Sequence, residues 1–266
     1  MRGMKKGNQG NNKIMYRTMI ITSIVAGFLA AVGLLGKKKV PVNYIGYSAF
    51  LNLALMLYLA LGVTAFLSGF KSFGLNSSGG ALGIIIGTLI ISKIIPKYKN
   101  EFISSYMIVL PLEYGIGKIG CAFAGCCGGI PYTGPGSIHI DGRGIFPIQA
   151  VEAITFIFIF IISAVFYLKS VYNPLIAGAI YAFIKILLDF LRDTHNNTII
   201  TSNQIMCFVI AISFLIIHFM NSKKHAIKCI TTIILLFLVV SLSGCAYSKK
   251  VPCITLNMVT EPAMDP

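Results

Sequence analysis

The sequence predicts an all-α, polytopic membrane helix bundle, and three observations carry that expectation. Hydrophobic residues make up 56% of the 266 and charged residues only 11%, too few charges to coat a soluble globule of this length. Apolar runs of about twenty residues, the length that crosses the hydrocarbon of a bilayer, recur along the chain. The 22 Lys and Arg against 8 Asp and Glu give a formal net charge of +14, and most of the bases lie between the apolar runs. A basic surplus also suits nucleic acid. Placed between spans, it reads instead as topology signals and contacts to anionic lipid, so the bilayer is the expected partner and nucleic acid is not.

Taken in order, residues 1–14 form a basic, polar, Gly- and Asn-rich stretch that reads as a disordered tail. Residues 15–221 form the membrane domain, with seven spans expected near 15–36, 44–70, 79–95, 102–127, 149–168, 174–191 and 204–220. The first has bases before it, as a signal peptide would, but it shows no small-residue cleavage site and leads into further apolar runs, so it is read as a span. Residues 222–266 form an appended segment with an eighth span near 229–244. The loops set the orientation. With the N-terminus outside, the inner loops hold Lys37, Lys38, Lys39, Lys93, Lys97, Lys99, Lys169, Lys223, Lys224 and Lys228. The outer loops hold Lys71, Arg143 and Arg192, and the basic tail is the exception to the rule.

Residues 117–129 read GKIGCAFAGCCGG and put a lysine, three cysteines and five glycines where membrane is expected. A charge there must face protein, water or a ligand. The glycines suggest a broken, re-entrant helix end lining a cavity. Residues 181–192 read YAFIKILLDFLR and space Lys185, Asp189 and Arg192 at i, i+4 and i+7, on one helix face. Gln149 and Glu152 share a face of the preceding helix, and Glu113 lies five residues before Lys118. Two readings of these groups stand side by side. One is a structural ion-pair network, Lys185 with Asp189 and Lys118 with Glu113 or Glu152, that fixes helix packing. The other is an anion site near the outer face, built from three bases that gather where a lipid phosphate lies.

The seven cysteines contain no C-x-x-C pair, and a disulfide framework is not expected. Cys121, Cys126, Cys127 and His139 carry zinc-binding atoms in a spacing that matches no common ligand pattern. They read as small apolar filler at a tight turn, with a redox pair as the minor alternative, and no metal or cofactor is expected. His195, His218 and His225 sit at loop or helix ends and read as solvated.

In order, the segments GKIGCAFAGC (117–126), FPIQAVEA (146–153), YAFIKILLDFLR (181–192) and TSNQ (201–204) resemble the prolipoprotein diacylglyceryl transferase family. That family's signature runs roughly GRIGNFxNGE, HPxQxYEA, YGxxRFxxEFxR and then a Gln opening the last helix. GLNSSGGALG (74–83) stands where the family has an SFHGGLLG-like segment. The resemblance spans roughly residues 15–220. It implies a seven-helix fold with an active site open to the outer leaflet of the bacterial plasma membrane. Its departures are specific. Lys118 and Lys185 replace arginines, Cys121 replaces the Asn, Cys126 the acid, and Ser78 and Phe146 replace histidines. Gln149, Glu152 and Arg192 are kept, and Asp189 conserves an acid. Lysine keeps the charge but loses the bidentate fork that grips phosphate oxygens.

The resemblance implies transfer of a diacylglyceryl group from phosphatidylglycerol to the lipobox cysteine thiol of prolipoproteins, releasing glycerol phosphate. The thiol must become a thiolate, and fixed positive groups must neutralise the departing phosphate. The residues this assigns to catalysis are Lys118 and Lys185, on the phosphate, and Glu152. Gln149, Asp189, Arg192 and Ser78 bind substrate, and Glu113 and Glu152 are the candidate bases. The runner-up is a non-catalytic relative that keeps the anion pocket for lipid binding or transport; a cysteine-based redox or metal protein is third. In the appended segment, KKHAIKCITTIILLFLVVSLSGC (223–245) resembles a lipoprotein signal with Cys245 as the lipidated residue. The alternative is an eighth helix that happens to end in SGC.

Overall fold

The structure, a computed structural model, describes residues 2–67, 69–71, 74–75, 77–125, 128–140, 143–193 and 200–219. Seven α-helices are described: α1 (Arg2–Lys37), α2 (Val42–Leu67), α3 (Ser77–Ile94), α4 (Lys99–Ala124), α5 (Ile148–Leu168), α6 (Pro174–Asp189) and α7 (Ser202–Phe219). A two-stranded antiparallel hairpin, β1 (Ile138–Ile140) with β2 (Arg143–Ile145), is inserted between α4 and α5. Four helical stretches are long and apolar enough to cross a membrane: Ile14–Lys37, Val42–Phe66, Pro96–Ala124 and Ile148–Leu168. The apolar helices Gly79–Ile94 and Cys207–His218 are shorter. The expected eighth span at 229–244 lies outside the described residues. At the other end, α1 already begins at Arg2, where the sequence reads as a tail. Residues 2–13 contain no proline, and adding turns to a formed helix costs far less than nucleating one.

α4 is the centre of the bundle, packing against α1, α3, α5 and α6, while α2 packs on α3 and α7 on α6. Its buried Phe102, Tyr106, Ile108 and Val109 form one core with Ala31 and Leu35 of α1, Ile84 and Ile91 of α3, and Tyr167 of α5. Large apolar side chains also point outward, among them Leu29, Phe50, Ile154 and Phe158. Lipid tails are as apolar as these side chains, so such a surface suits a bilayer, and close packing with interhelical hydrogen bonds must hold the helices together instead.

The α2–α3 pair shows both devices. A Cβ on Gly83 would collide with the Leu55 carbonyl and the Met56 backbone, and one on Gly79 would lie 2.5 Å from the Leu59 carbonyl oxygen. One turn further on, Thr88 Oγ1 donates to Asn52 Oδ1 at 3.0 Å, and Asn52 Nδ2 donates to the Ser48 carbonyl at 2.8 Å. Gly83→Val is therefore expected to force α2 and α3 apart. The expected cost is about 1–3 kcal/mol, the usual range for overpacking, read as a lowered thermal transition in detergent. An unchanged transition would show that this contact does not hold the pair.

Residues 117–129 correct the expected broken helix. α4 runs unbroken through Gly117 and Gly120 to Ala124 and ends at Gly125, whose φ of 65° gives a left-handed C-cap. Gly120 serves helix packing. A Cβ on Gly120 would lie 2.9 Å from Met19 Cβ of α1, so glycine lets the two helices approach.

The lysine-bearing turns share one end of the bundle. Lys38 Nζ donates to Ser170 Oγ at 2.7 Å, and the Tyr44 and Tyr98 rings lie 5.9 Å apart. The segments after α4 and α6 meet at the other end. Ile130 N donates to the Leu191 carbonyl and Asp193 N to the Gly128 carbonyl, each at 3.1 Å. Phe146 N donates to the Ile130 carbonyl at 3.0 Å. A Cβ on Gly129 would strike the Phe146 carbonyl, which is why glycine stands at this crossing.

Candidate functional site

Beneath that crossing, four segments bring five charged side chains together, all nearly or fully buried. Glu152, on α5 and wholly inaccessible, is the hub. Lys118 of α4 places Nζ 3.0 Å from its Oε2, and Lys185 of α6 places Nζ 2.8 Å from its Oε1. Arg192 Nη2 donates to both carboxylate oxygens, at 2.7 and 2.8 Å. Asp189, 2% exposed, stands 3.7 Å from Lys185 Nζ and 3.4 Å from Arg192 Nε. Three cations thus face two carboxylates, and the cluster carries one surplus positive charge. In a low-dielectric setting that surplus attracts an anion strongly.

Local chain geometry explains the convergence. α6 is capped by Asn173, whose Oδ1 accepts from Leu175 N at 3.0 Å and Ile176 N at 3.2 Å. It ends at Asp189, so Arg192 lies beyond the helix rather than on its face as the spacing predicts. Tight turns return the chain, with Leu191 N donating to Leu188 O and Arg192 N to Asp189 O. An isolated bridge to Gly129 then fixes the backbone of Arg192.

The structure resolves the open pairing. Lys118 pairs with Glu152, and Glu113 turns away toward α1, where a Cβ on Gly27 would collide with its carboxylate. Glu113 Oε1 is buried and has no hydrogen-bond partner among the described residues. Lys185 keeps its expected partner Asp189 and gains Glu152. Gln149, 7% exposed, lies on α5 one turn before Glu152, on the same side of the helix. Ser78 falls in the first turn of α3, and its side chain lies outside the described residues, as do Cys126, Cys127, His195, His225 and Cys245. Cys121 lies half-buried on α4, and His139 lies on β1.

Two contributors escaped the sequence reading. Tyr114 donates to Glu152 Oε1 at 2.9 Å and accepts from Arg192 Nη2 at 3.1 Å. Its ring centroid lies 5.1 Å from Lys118 Nζ and 5.2 Å from Lys185 Nζ, within cation–π range. The signal was its i, i+4 spacing to Lys118, which places both on one face. The other is Thr201. It opens α7 with a capping box: Gln204 N donates to Thr201 Oγ1 at 3.2 Å, and Thr201 N donates to Gln204 Oε1 at 3.0 Å. The same hydroxyl donates to Asp189 Oδ2 at 2.7 Å. The cap commits the Gln204 oxygen and leaves Nε2 a buried donor without a hydrogen-bond partner among the described residues; Arg192 Nε also makes no hydrogen bond there, its contact being the 3.4 Å ion pair with Asp189.

The fold and this site define a class: a helical membrane bundle whose helices carry a buried, net-cationic cluster beneath the loops at one end. A family model described as prolipoprotein diacylglyceryl transferase matches residues 12–220. The chain belongs to that family, which implies a transferase of lipoprotein biosynthesis acting on lipid and prolipoprotein substrates in membranes. No curated protein and no solved structure matches it.

Proposed function

We propose that this chain transfers the diacylglyceryl group of phosphatidylglycerol to the lipobox cysteine thiol of prolipoproteins, at the outer face of a bacterial plasma membrane crossed by its seven helices. The observation that carries this reading is the buried cluster, with three cations against two carboxylates and donors of Arg192 and Gln204 that make no hydrogen bond among the described residues. Such donors in a net-positive site suit a phosphate and the hydroxyls attached to it. The cysteine thiolate attacks the glycerol carbon that bears the phosphate, forming the S–C bond as the C–O bond breaks. The electron pair leaves on the phosphate oxygen of glycerol phosphate, and in overall balance the thiol proton passes to that product or to solvent. Lys118 and Lys185 neutralise the charge that develops on the departing phosphate. Arg192 holds the headgroup and fixes Asp189, while Glu152 and Gln149 orient the lysines and the glycerol hydroxyls. By resemblance to the family, Ser78 is assigned to substrate binding as well.

One observation favours a second reading. All three cations already touch Glu152, as they would in a purely structural network, so a non-catalytic lipid-binding relative would look the same. Purified protein, phosphatidylglycerol with labelled acyl chains and a synthetic lipobox peptide separate the two. The expected result is a labelled thioether peptide and free glycerol phosphate. Lipid that binds without either product would favour the second reading.

Cys245 extends the proposal, since the lipobox-like LSGC at 242–245 would make the chain a substrate of its own reaction. Intact-mass and peptide analysis of the expressed chain is expected to show a diacylglyceryl group on Cys245. An unmodified Cys245 in an attached tail would end this part of the proposal.

A further inference from the structure

The opposite end of the bundle holds a second polar site. The turns after α1 and α5 and the first turns of α4 enclose a cleft of about 200 Å³ lined by Lys38, Glu101, Ser104, Tyr167, Ser170 and Tyr172. The Lys38 ammonium is held from two sides, by Ser170 Oγ at 2.7 Å and by the Tyr167 ring with its centroid 5.0 Å away. Ser170 presents that hydroxyl from a left-handed backbone with φ of 61°, a conformation usually left to glycine at this helix-ending position. Glu101 shares the cleft with Lys38, yet among the described residues it forms no ion pair with Lys38 or any other cation. Ser104 is 6% exposed and lines the cleft, and its hydroxyl makes no hydrogen bond among the described residues. Lining the cleft, that hydroxyl is available to a ligand as donor or acceptor.

We infer that this cleft binds a phosphodiester headgroup that ends in a hydrogen-bond donor, such as ethanolamine or glycerol. The phosphate meets Lys38 and the hydroxyls of Ser104 and Ser170; the ammonium or hydroxyl end meets Glu101. The size fits, because pockets for drug-sized ligands run to about 300–1,000 Å³ and this one takes a headgroup alone. The setting fits as well. Leu168 and Val171, 50% and 69% exposed beside Ser170, offer apolar surface for acyl chains. In the sequence, Lys37 and Lys39 flank Lys38, Lys169 precedes Ser170 and Lys97 lies shortly before α4, the pattern of a cytoplasmic membrane face. The inference does not depend on the transferase reading.

Native mass spectrometry of the delipidated full chain tests it, with dioleoyl phosphatidylethanolamine as the probe. The choline lipid serves as control, since it keeps the phosphate but has no donor for Glu101. The ethanolamine lipid is expected to bind at least about tenfold more tightly than the choline lipid. Lys38→Ala should lose about tenfold for both lipids, and Ser104→Ala should weaken both. Glu101→Gln, near-isosteric, should erase the discrimination while leaving choline-lipid binding unchanged. Lys118→Ala, in the other cluster, should leave the discrimination between the two lipids and its dependence on Glu101 unchanged. Competition by soluble glycerophosphoethanolamine would assign a soluble diester as the ligand, and its failure to compete would assign the lipid; either upholds the site. Equal binding of the two lipids by the wild type, insensitivity to Lys38→Ala and Glu101→Gln, or loss of the discrimination in Lys118→Ala would overturn it.

Discussion

Glu152→Gln is expected to abolish diacylglyceryl transfer and to destabilise the bundle more than any other single change in the cluster. The carboxylate has no exposed surface and touches Lys118, Lys185 and Arg192 at 2.7–3.0 Å, so it ties α4, α5 and the segment after α6 to one point. An amide keeps the shape but removes the charge, which leaves three buried cations facing Asp189 alone. Breaking a buried ion pair by removing one partner costs about 3–5 kcal/mol, and the cluster's other carboxylate, Asp189, stands 3.7 Å from Lys185 and 3.4 Å from Arg192. The measurement is the thermal transition of the detergent-solubilised variant beside its transfer rate. A Glu152→Gln protein as stable as the parent would show that the cluster is not the structural hub. A stable and active one would remove Glu152 from the mechanism as well.

Lys118→Ala separates chemistry from stability. Lys118 makes one ion pair with Glu152 and lies over Tyr114, whereas Arg192 and Lys185 also reach Asp189. Its loss leaves Glu152 with two cations, so the protein should still insert and stay folded. Transfer should fall about 100- to 1,000-fold, the usual effect of removing one preorganised group that stabilises developing charge. Lys118→Arg should retain transfer, because the guanidinium keeps the charge and offers a fork to phosphate oxygens. Full activity in Lys118→Ala would sink the assignment of the phosphate to this residue.

Much of this was legible in the sequence, and what was not has a physical cause. Span length and apolarity locate six of the seven described helices, and the end of α1, to within a few residues, because a bilayer leaves backbone polar groups few alternatives; the start of α1 at Arg2 was missed, since its polar first turns carry no span signal. The charged residues were legible too, since an intramembrane charge must find a partner. Which partner was not. Glu113 and Lys118 are five residues apart, about 140° around a helix of 3.6 residues per turn, so they diverge. Glu152 from another helix takes the lysine, and Glu113 is left against Gly27. The glycines at 117 and 120 suggested a break, because composition alone does not distinguish a glycine that frees the backbone from one that admits a neighbouring helix. α1 packs there, and the helix continues to Ala124. Tyr114 and Thr201 carry no charge and so gave no signal of cost. Their roles appear only where α4 and α7 meet the carboxylates. The position of Arg192 is a chain-reversal effect, since its backbone pairs with Gly129 rather than extending α6.

The most direct measurement is complementation. The full chain is expressed in a bacterium depleted of its own diacylglyceryl transferase, and the thioether modification of a reporter lipoprotein is followed by mass spectrometry, with Lys118→Ala as the paired control. The expected result is growth and diacylglyceryl modification with the wild type, both lost in the variant at equal membrane abundance. An inserted, stable wild-type protein that leaves the reporter unmodified would contradict the transferase reading and leave the lipid-binding relative in its place.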